Sequence, residues 1–191
     1  MRLFVAFDLP DDVRSALDEL IAKLKPVCRA ARWARPEGMH VTLKFIGHAI
    51  ADGDTEKLDA ARAALATVRS SEPVEIRYRG VGFFPDARRP RVMWCGVEAS
   101  TNLAQLAADI ERGLESLGIP SETRAFVPHL TLARFKTLEG VEALARSAAE
   151  WASRDFGSAS ETKFHLFESL LKSRGAEYRK IESYSFVRAA A

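Results

Sequence analysis

Cysteine is nearly missing from this chain: Cys28 and Cys95 are the only two among 191 residues, and they lack CxxC spacing. Two cysteines cannot make a disulfide framework or a cysteine-rich zinc site, and they read as small buried apolar residues. Long apolar runs are lacking too, none approaching the roughly 18 residues that span a membrane. The opening MRLFVAFDLPDD meets acids at Asp8, Asp11 and Asp12 before a signal peptide's apolar region could be complete. It therefore reads as a first strand, of a protein expected in the cytoplasm. No GxxxxGK[ST] occurs, and the glycines of RGVGFF form no phosphate loop, which argues against an ATP-driven enzyme. HExxH is absent as well.

Charge of one sign is also scarce. The formal net charge is +2, with an isoelectric point near 8.6. That balance tolerates an anionic ligand but is far from the strong basicity of a dedicated duplex binder. The one dense cationic cluster is Arg88, Arg89 and Arg91 in PDARRPR, for which a solvated loop is the ordinary explanation.

What is present is ordinary globular material, 47% hydrophobic and 28% charged, in a chain long enough to bury a core unaided. The segment 2–9 is β-rich and stops at Pro10. Residues 11–25 then place Val13, Leu17, Leu20, Ile21 and Leu24 at helical spacing, with Asp11 or Asp12 as the expected cap. Segments 39–47 and 74–84 read as strands around a helix at 54–69. The order begins again with a strand at 91–99 and a helix at 101–117. A strand at 124–135, interrupted by Pro128, and a helix at 139–152 follow. Strands at 164–171 and 178–186, turning around Gly175, close the chain. A shift of 89 residues lays Arg2 on Arg91, His40 on His129 and Thr42 on Thr131.

The expected fold is therefore α+β: two pseudo-twofold-related lobes, each a mostly antiparallel sheet with helices outside, flanking a central groove. A single bilobal domain over 1–191 is expected, with the repeat at roughly 2–84 and 91–171 and a final strand at 178–186.

The chemistry concentrates in HVTL (40–43) and HLTL (129–132). In a strand, residues i and i+2 share a face, so His40 lies beside Thr42 and His129 beside Thr131, with apolar residues behind. Eight threonines in the chain make a Thr two places after a given His about a 4% event. Two such motifs among four histidines, with apolar residues at all four alternate positions, arise by chance at roughly 0.05%. Such a pair suits opening of a cyclic phosphodiester. Imidazoles exchange protons near neutral pH, and in-line attack needs a base and an acid on opposite sides of phosphorus. Threonine hydroxyls can bond the non-bridging oxygens, where charge concentrates. His40, His129, Thr42 and Thr131 are the catalytic candidates, and no metal or other cofactor is expected.

Arg134, five residues after His129, has a guanidinium suited to phosphate, but strict alternation turns it away unless a bulge redirects it. Lys44 keeps the parity of His40 and Thr42 and is a second cationic candidate. Phe84, beside Pro85, is the aromatic candidate for stacking a base, ahead of Trp33 and Phe45.

These motifs resemble those of the two-histidine (2H) phosphoesterase superfamily. More narrowly, RLFVAFDLP, RWARPEGMHVTLKFIG, GVGFFP, RVMWCGV, FVPHLTLARF and YRKIESYSF resemble, in order, the bacterial and archaeal 2′-5′ RNA ligase family of RNA 2′,3′-cyclic phosphodiesterases. The resemblance implies metal-independent hydrolysis of a terminal 2′,3′-cyclic phosphate to a 2′-phosphomonoester, with reversible ATP-independent 2′-5′ joining of RNA ends. It implies His40 as proton donor, His129 as acceptor and Arg134 as the family's arginine. The implied partner is RNA with a cyclic phosphate end, such as a tRNA fragment or oligonucleotide, and the chain is expected to be a monomer. The alternatives are a non-catalytic nucleotide- or RNA-binding module of the same fold, a phosphodiesterase for small cyclic nucleotides, and a zinc site, for which two histidines supply too few ligands.

Overall fold

The computed structural model describes residues 1–172 and 175–187. Nine strands run in the order β7-β4-β5-β6-β3-β1-β8-β9, with β2 (Arg32–Trp33) set against β6 (His129–Arg134). The others are β1 (Leu3–Phe7), β3 (Val41–Gly47), β4 (Val74–Phe84), β5 (Val92–Ala99), β7 (Asp155–Glu161), β8 (Lys163–Lys172) and β9 (Gly175–Ser185). Every pairing in the path is antiparallel. The expected α+β architecture is present: two antiparallel halves, helices on one face, and a groove on the other.

Within the sheet path β3 and β6 are joined at one described position, Val41 opposite Leu130. Those two residues are 89 apart, the shift of the sequence repeat, so the pseudo-twofold axis passes through this pair. The chain also crosses between halves. Strand β4 follows β3 in sequence yet lies between β5 and β7, whereas β8 and β9 return to β1.

The main core lies on the helix face, with Leu3, Val5 and Phe7 of β1 and Leu130, Leu132 and Ala133 of β6 fully buried. Helix α1 (Asp11–Leu24) buries Val13, Leu17, Leu20, Ile21 and Leu24, each contributing about 1.5–3 kcal/mol. Asp11 and Asp12 lie inside its first turn, where they complement the helix dipole. The N-cap position belongs to Pro10, so neither acid occupies it as expected. Helix α2 (Thr55–Leu65) is capped by the Asp54 carboxylate, which accepts from the Lys57 amide at 3.0 Å, and it packs on α3 (Asn102–Glu115). Helix α4 (Val141–Ala148) meets α1.

Two strands escaped the sequence reading. Strand β2 is two residues long, and β7 carries DFGSASE, whose small polar residues lack a clear apolar alternation. The strand expected from 124 begins only at His129, because Pro128 cannot donate to a ladder. Gly175, expected in a turn, instead begins β9 opposite Lys172, and residues 173–174 lie outside the described residues.

Candidate active site

Register sets the site. With Val41 opposite Leu130 in an antiparallel pair, that register continued one step along each strand would set His40 opposite Thr131 and Thr42 opposite His129. All four side chains then share the face opposite the core. In a regular ladder the two histidines, as diagonal neighbours, would stand about 7–8 Å apart at their α-carbons.

Both imidazoles are anchored in the same way. His40 Nδ1 bonds the Gly38 carbonyl at 2.9 Å, and His129 Nδ1 bonds the Val127 carbonyl at 2.8 Å. A carbonyl only accepts, so the proton sits on Nδ1 and Nε2 is left for a ligand. The surroundings differ. His40 stacks on Phe4 with ring centroids 4.5 Å apart and takes the edge of Tyr178 at 5.1 Å; Phe4 in turn stacks on Phe167. Tyr178 fits there because position 38 is glycine: a β-carbon would come within 3.0 Å of its ring. His129 is met edge-on by Phe84 at 5.1 Å.

Burial pushes His40 down to about 4, opposed by its bond to the Gly38 carbonyl and the charge of Asp8 and assisted by Arg134. Its unfolded value is near 6.5, so the unfolded chain binds more protons between these limits and stability rises with pH across that window. The contribution is fully present above about 6.5 and is lost as pH falls through about 4; it amounts to about 3 kcal/mol. His165, also lowered by burial, acts in the same direction. Thermal melts from pH 7 down to 4.5 are expected to fall less steeply for His40→Asn than for the wild type. Parallel curves would refute this linkage.

Bulges place the remaining groups. Between β1 and β3 the register jumps from Ala6–Thr42 to Val5–Lys44, leaving Leu43 as the extra residue. Parity reverses there, so Phe45 instead of Lys44 joins Thr42 on the groove face. Lys44 is 2% exposed, its ammonium 2.5 Å from the Glu111 carboxylate on α3 and 2.6 Å from the Pro120 carbonyl. Its expected role as a phosphate contact is therefore corrected: it is an internal tie between β3, α3 and the segment leading to β6. The matching bulge in β6 leaves Leu132 unpaired between Thr131–Trp94 and Ala133–Met93. It turns Arg134 onto the groove face, opposite Val92, where it is exposed and acts on His40.

A third bulge, at Gly80 (φ +69°), brings Gly82 and Phe84 of β4 to the same face. The Trp94 ring lies over Gly82, where a β-carbon would stand only 2.2 Å from it, and Phe84 packs against Trp94 at 5.2 Å. Trp33 instead packs against the core and donates its indole N–H to the Cys28 carbonyl at 3.0 Å.

Sequence reasoning missed Phe4, Phe167 and Tyr178 around His40. Phe4 carried a signal, being aromatic at the parity opposite to Leu3, Val5 and Phe7. Among the described residues, no group of three or more His, Cys, Asp or Glu is placed to hold a metal ion. No helix among them is long and apolar enough to cross a membrane.

The chain is similar over nearly its whole length to curated proteins named RNA 2′,3′-cyclic phosphodiesterase. Identity is 32% with the one from Archaeoglobus fulgidus, covering 96% of this chain and 99% of the relative. It is 34% with that from Thermus thermophilus, covering 97% and 90%. Among solved structures, a Thermus thermophilus protein matches with a TM-score of 0.75 and 32% identity, over 97% of this chain and 98% of that one. The E. coli LigT complex with ATP matches with a TM-score of 0.76 and 25% identity, over 98% of both. Kluyveromyces marxianus Usb1, at 12% identity and a TM-score of 0.53, shares the fold. The model of the 2′-5′ RNA ligase superfamily matches residues 9–166, and the chain belongs to that family.

Proposed function

We propose that the chain is an RNA 2′,3′-cyclic phosphodiesterase working through His40 and His129 as an acid–base pair. The observation that carries this reading is the symmetric anchoring of the two imidazoles, each by Nδ1 to the carbonyl two residues before it, on one face of the β3–β6 seam.

In the proposed reaction water attacks phosphorus in line with the 3′ oxygen, and His129 Nε2 takes the water's proton. The P–O3′ bond breaks as His40 Nε2 protonates the departing oxygen, leaving a 2′-phosphomonoester and a free 3′-hydroxyl. Thr42, Thr131 and Arg134 bond the non-bridging oxygens, where negative charge grows in the transition state. Phe84, edge-on to His129, lies where a base or ribose would pack. Attack by the 5′-hydroxyl of a second RNA in place of water, with the P–O3′ bond broken and O3′ protonated in the same way, would join RNA ends through a 2′-5′ bond without ATP. We assign the activity to a cytoplasmic monomer.

In EDTA, an RNA ending in a 2′,3′-cyclic phosphate is expected to be converted to the 2′-phosphate alone, as mapped by chromatography against 2′- and 3′-phosphate standards. A requirement for added divalent metal, or a 3′-phosphate product, would overturn the mechanism. Tight RNA binding without turnover would favour the binding-module alternative.

A further inference from the structure

Arg134 does not stand alone on the groove face. In the β2–β6 pairing Arg32 lies directly opposite it, and both side chains are exposed. Like charges directly across a strand pair repel, and two exposed arginines in this register favour an anion between or beside them. Among the described residues neither pairs with a carboxylate, although eleven ion pairs form elsewhere.

One residue further along β5 and β6, beyond Val92 and Arg134, the strand ends open into a cavity of about 170 Å³. It is lined by Arg89, Pro90, Arg91, Phe135, Lys136 and Leu138 among others. Its three cations are exposed and form no ion pair among the described residues. The nearby Asp86 carboxylate is turned to the backbone N–H groups of Arg88 and Arg89, at 2.7 and 3.1 Å. The PDARRPR cluster is thus the rim of a cationic pocket at the strand ends beside Arg134, into which Phe135 reaches from the core side against Phe83.

We propose that Arg32 and the Arg89–Arg91–Lys136 pocket form a track for the phosphates on the 5′ side of the terminal nucleotide, so that the protein binds an RNA strand beyond its cyclic end. This rests on the phosphodiesterase reading for the placement of the terminal phosphate beside His40 and His129. The ligand is single-stranded RNA backbone: Arg32 lies opposite Arg134, Arg91 and Lys136 are within two residues of that register position, and Phe135 and Leu138 give the pocket an apolar side against which a ribose or base can pack.

The test uses Arg32→Ala and the triple variant Arg89→Ala/Arg91→Ala/Lys136→Ala, all at exposed positions. Fluorescence anisotropy with a labelled short RNA ending in a 2′-phosphate, titrated with salt, measures binding without turnover. Each variant is expected to bind about tenfold more weakly, and the slope of log K against log salt should shrink by about 0.7 for every phosphate no longer neutralised. A 2′,3′-cyclic mononucleotide, which has no upstream phosphate, should be hydrolysed by the triple variant as by the wild type. Unchanged affinity and salt slope would overturn the track, as would an equal loss by the triple variant on the mononucleotide. A wild type that hydrolyses neither substrate would instead sink the phosphodiesterase reading, while the anisotropy would still decide the track.

Discussion

Removing either imidazole is expected to lower kcat/KM on a cyclic-phosphate RNA end by about 10²- to 10⁴-fold. His40→Ala and His129→Ala should lose comparable amounts, and the double variant little more than either, because the two groups serve one proton relay. The circular dichroism of both variants at neutral pH should remain native-like, since both imidazoles lie on the groove face and outside the main core. Retention of more than about a tenth of wild-type activity in either variant would remove that residue from the proton relay. The pH profile then assigns the roles. In the free protein, burial against Phe4 and Tyr178 keeps His40 neutral above about 4. A donor role requires that the anionic phosphate restore its proton on binding, so ligand binding near neutral pH should take up a proton. Calorimetry of the 2′-phosphate product in buffers of different ionisation heat measures this uptake. Uptake in the wild type and none in His40→Asn supports His40 as donor; no uptake in either would transfer that role to His129.

The second large effect is on stability. Lys44→Met is expected to cost about 3–5 kcal/mol, because it leaves the Glu111 carboxylate without its ammonium and the Pro120 carbonyl without its donor. For a chain of this size that corresponds to a fall in Tm of roughly 10 °C. At a temperature where the variant is folded, KM for the RNA end should stay near the wild-type value. A phosphate-binding lysine would give the opposite result, with KM raised and Tm held. Measuring both on one preparation separates the two cases.

Lys44 and Arg134 also show what the sequence could carry. The paired His-x-Thr motifs, the 89-residue shift and the α+β halves were legible because they rest on periodicity and on residue type. Which face each residue takes beyond the motif was not. Leu43 and Leu132 are ordinary strand residues in the sequence, yet each is the extra residue of a bulge that reverses the parity of the residues after it. Counting by twos therefore put Lys44 on the groove face, where the structure has Phe45. It sent Arg134 away from that face, where the structure has it exposed. The aromatic surround of His40 was hidden for a different reason: Tyr178 reaches it from the last strand, across a pairing that no local pattern announces. Strand β7 was lost because Ser158 and Ser160 are paired across to β4 rather than marked by apolar alternation.

The crossing of β4 into one half of the sheet and of β8–β9 into the other has a consequence for how the molecule is made and dismantled. Neither the first ninety or so residues nor the remainder holds a complete half-sheet, so synthesis from the N-terminus cannot finish one half before starting the other. The aromatic wall behind His40 is completed only when Phe167 and Tyr178, more than a hundred residues after it, have left the ribosome. A product that stops before Phe167 and Tyr178 therefore keeps both histidine motifs in its sequence but lacks the surface that seats the first of them.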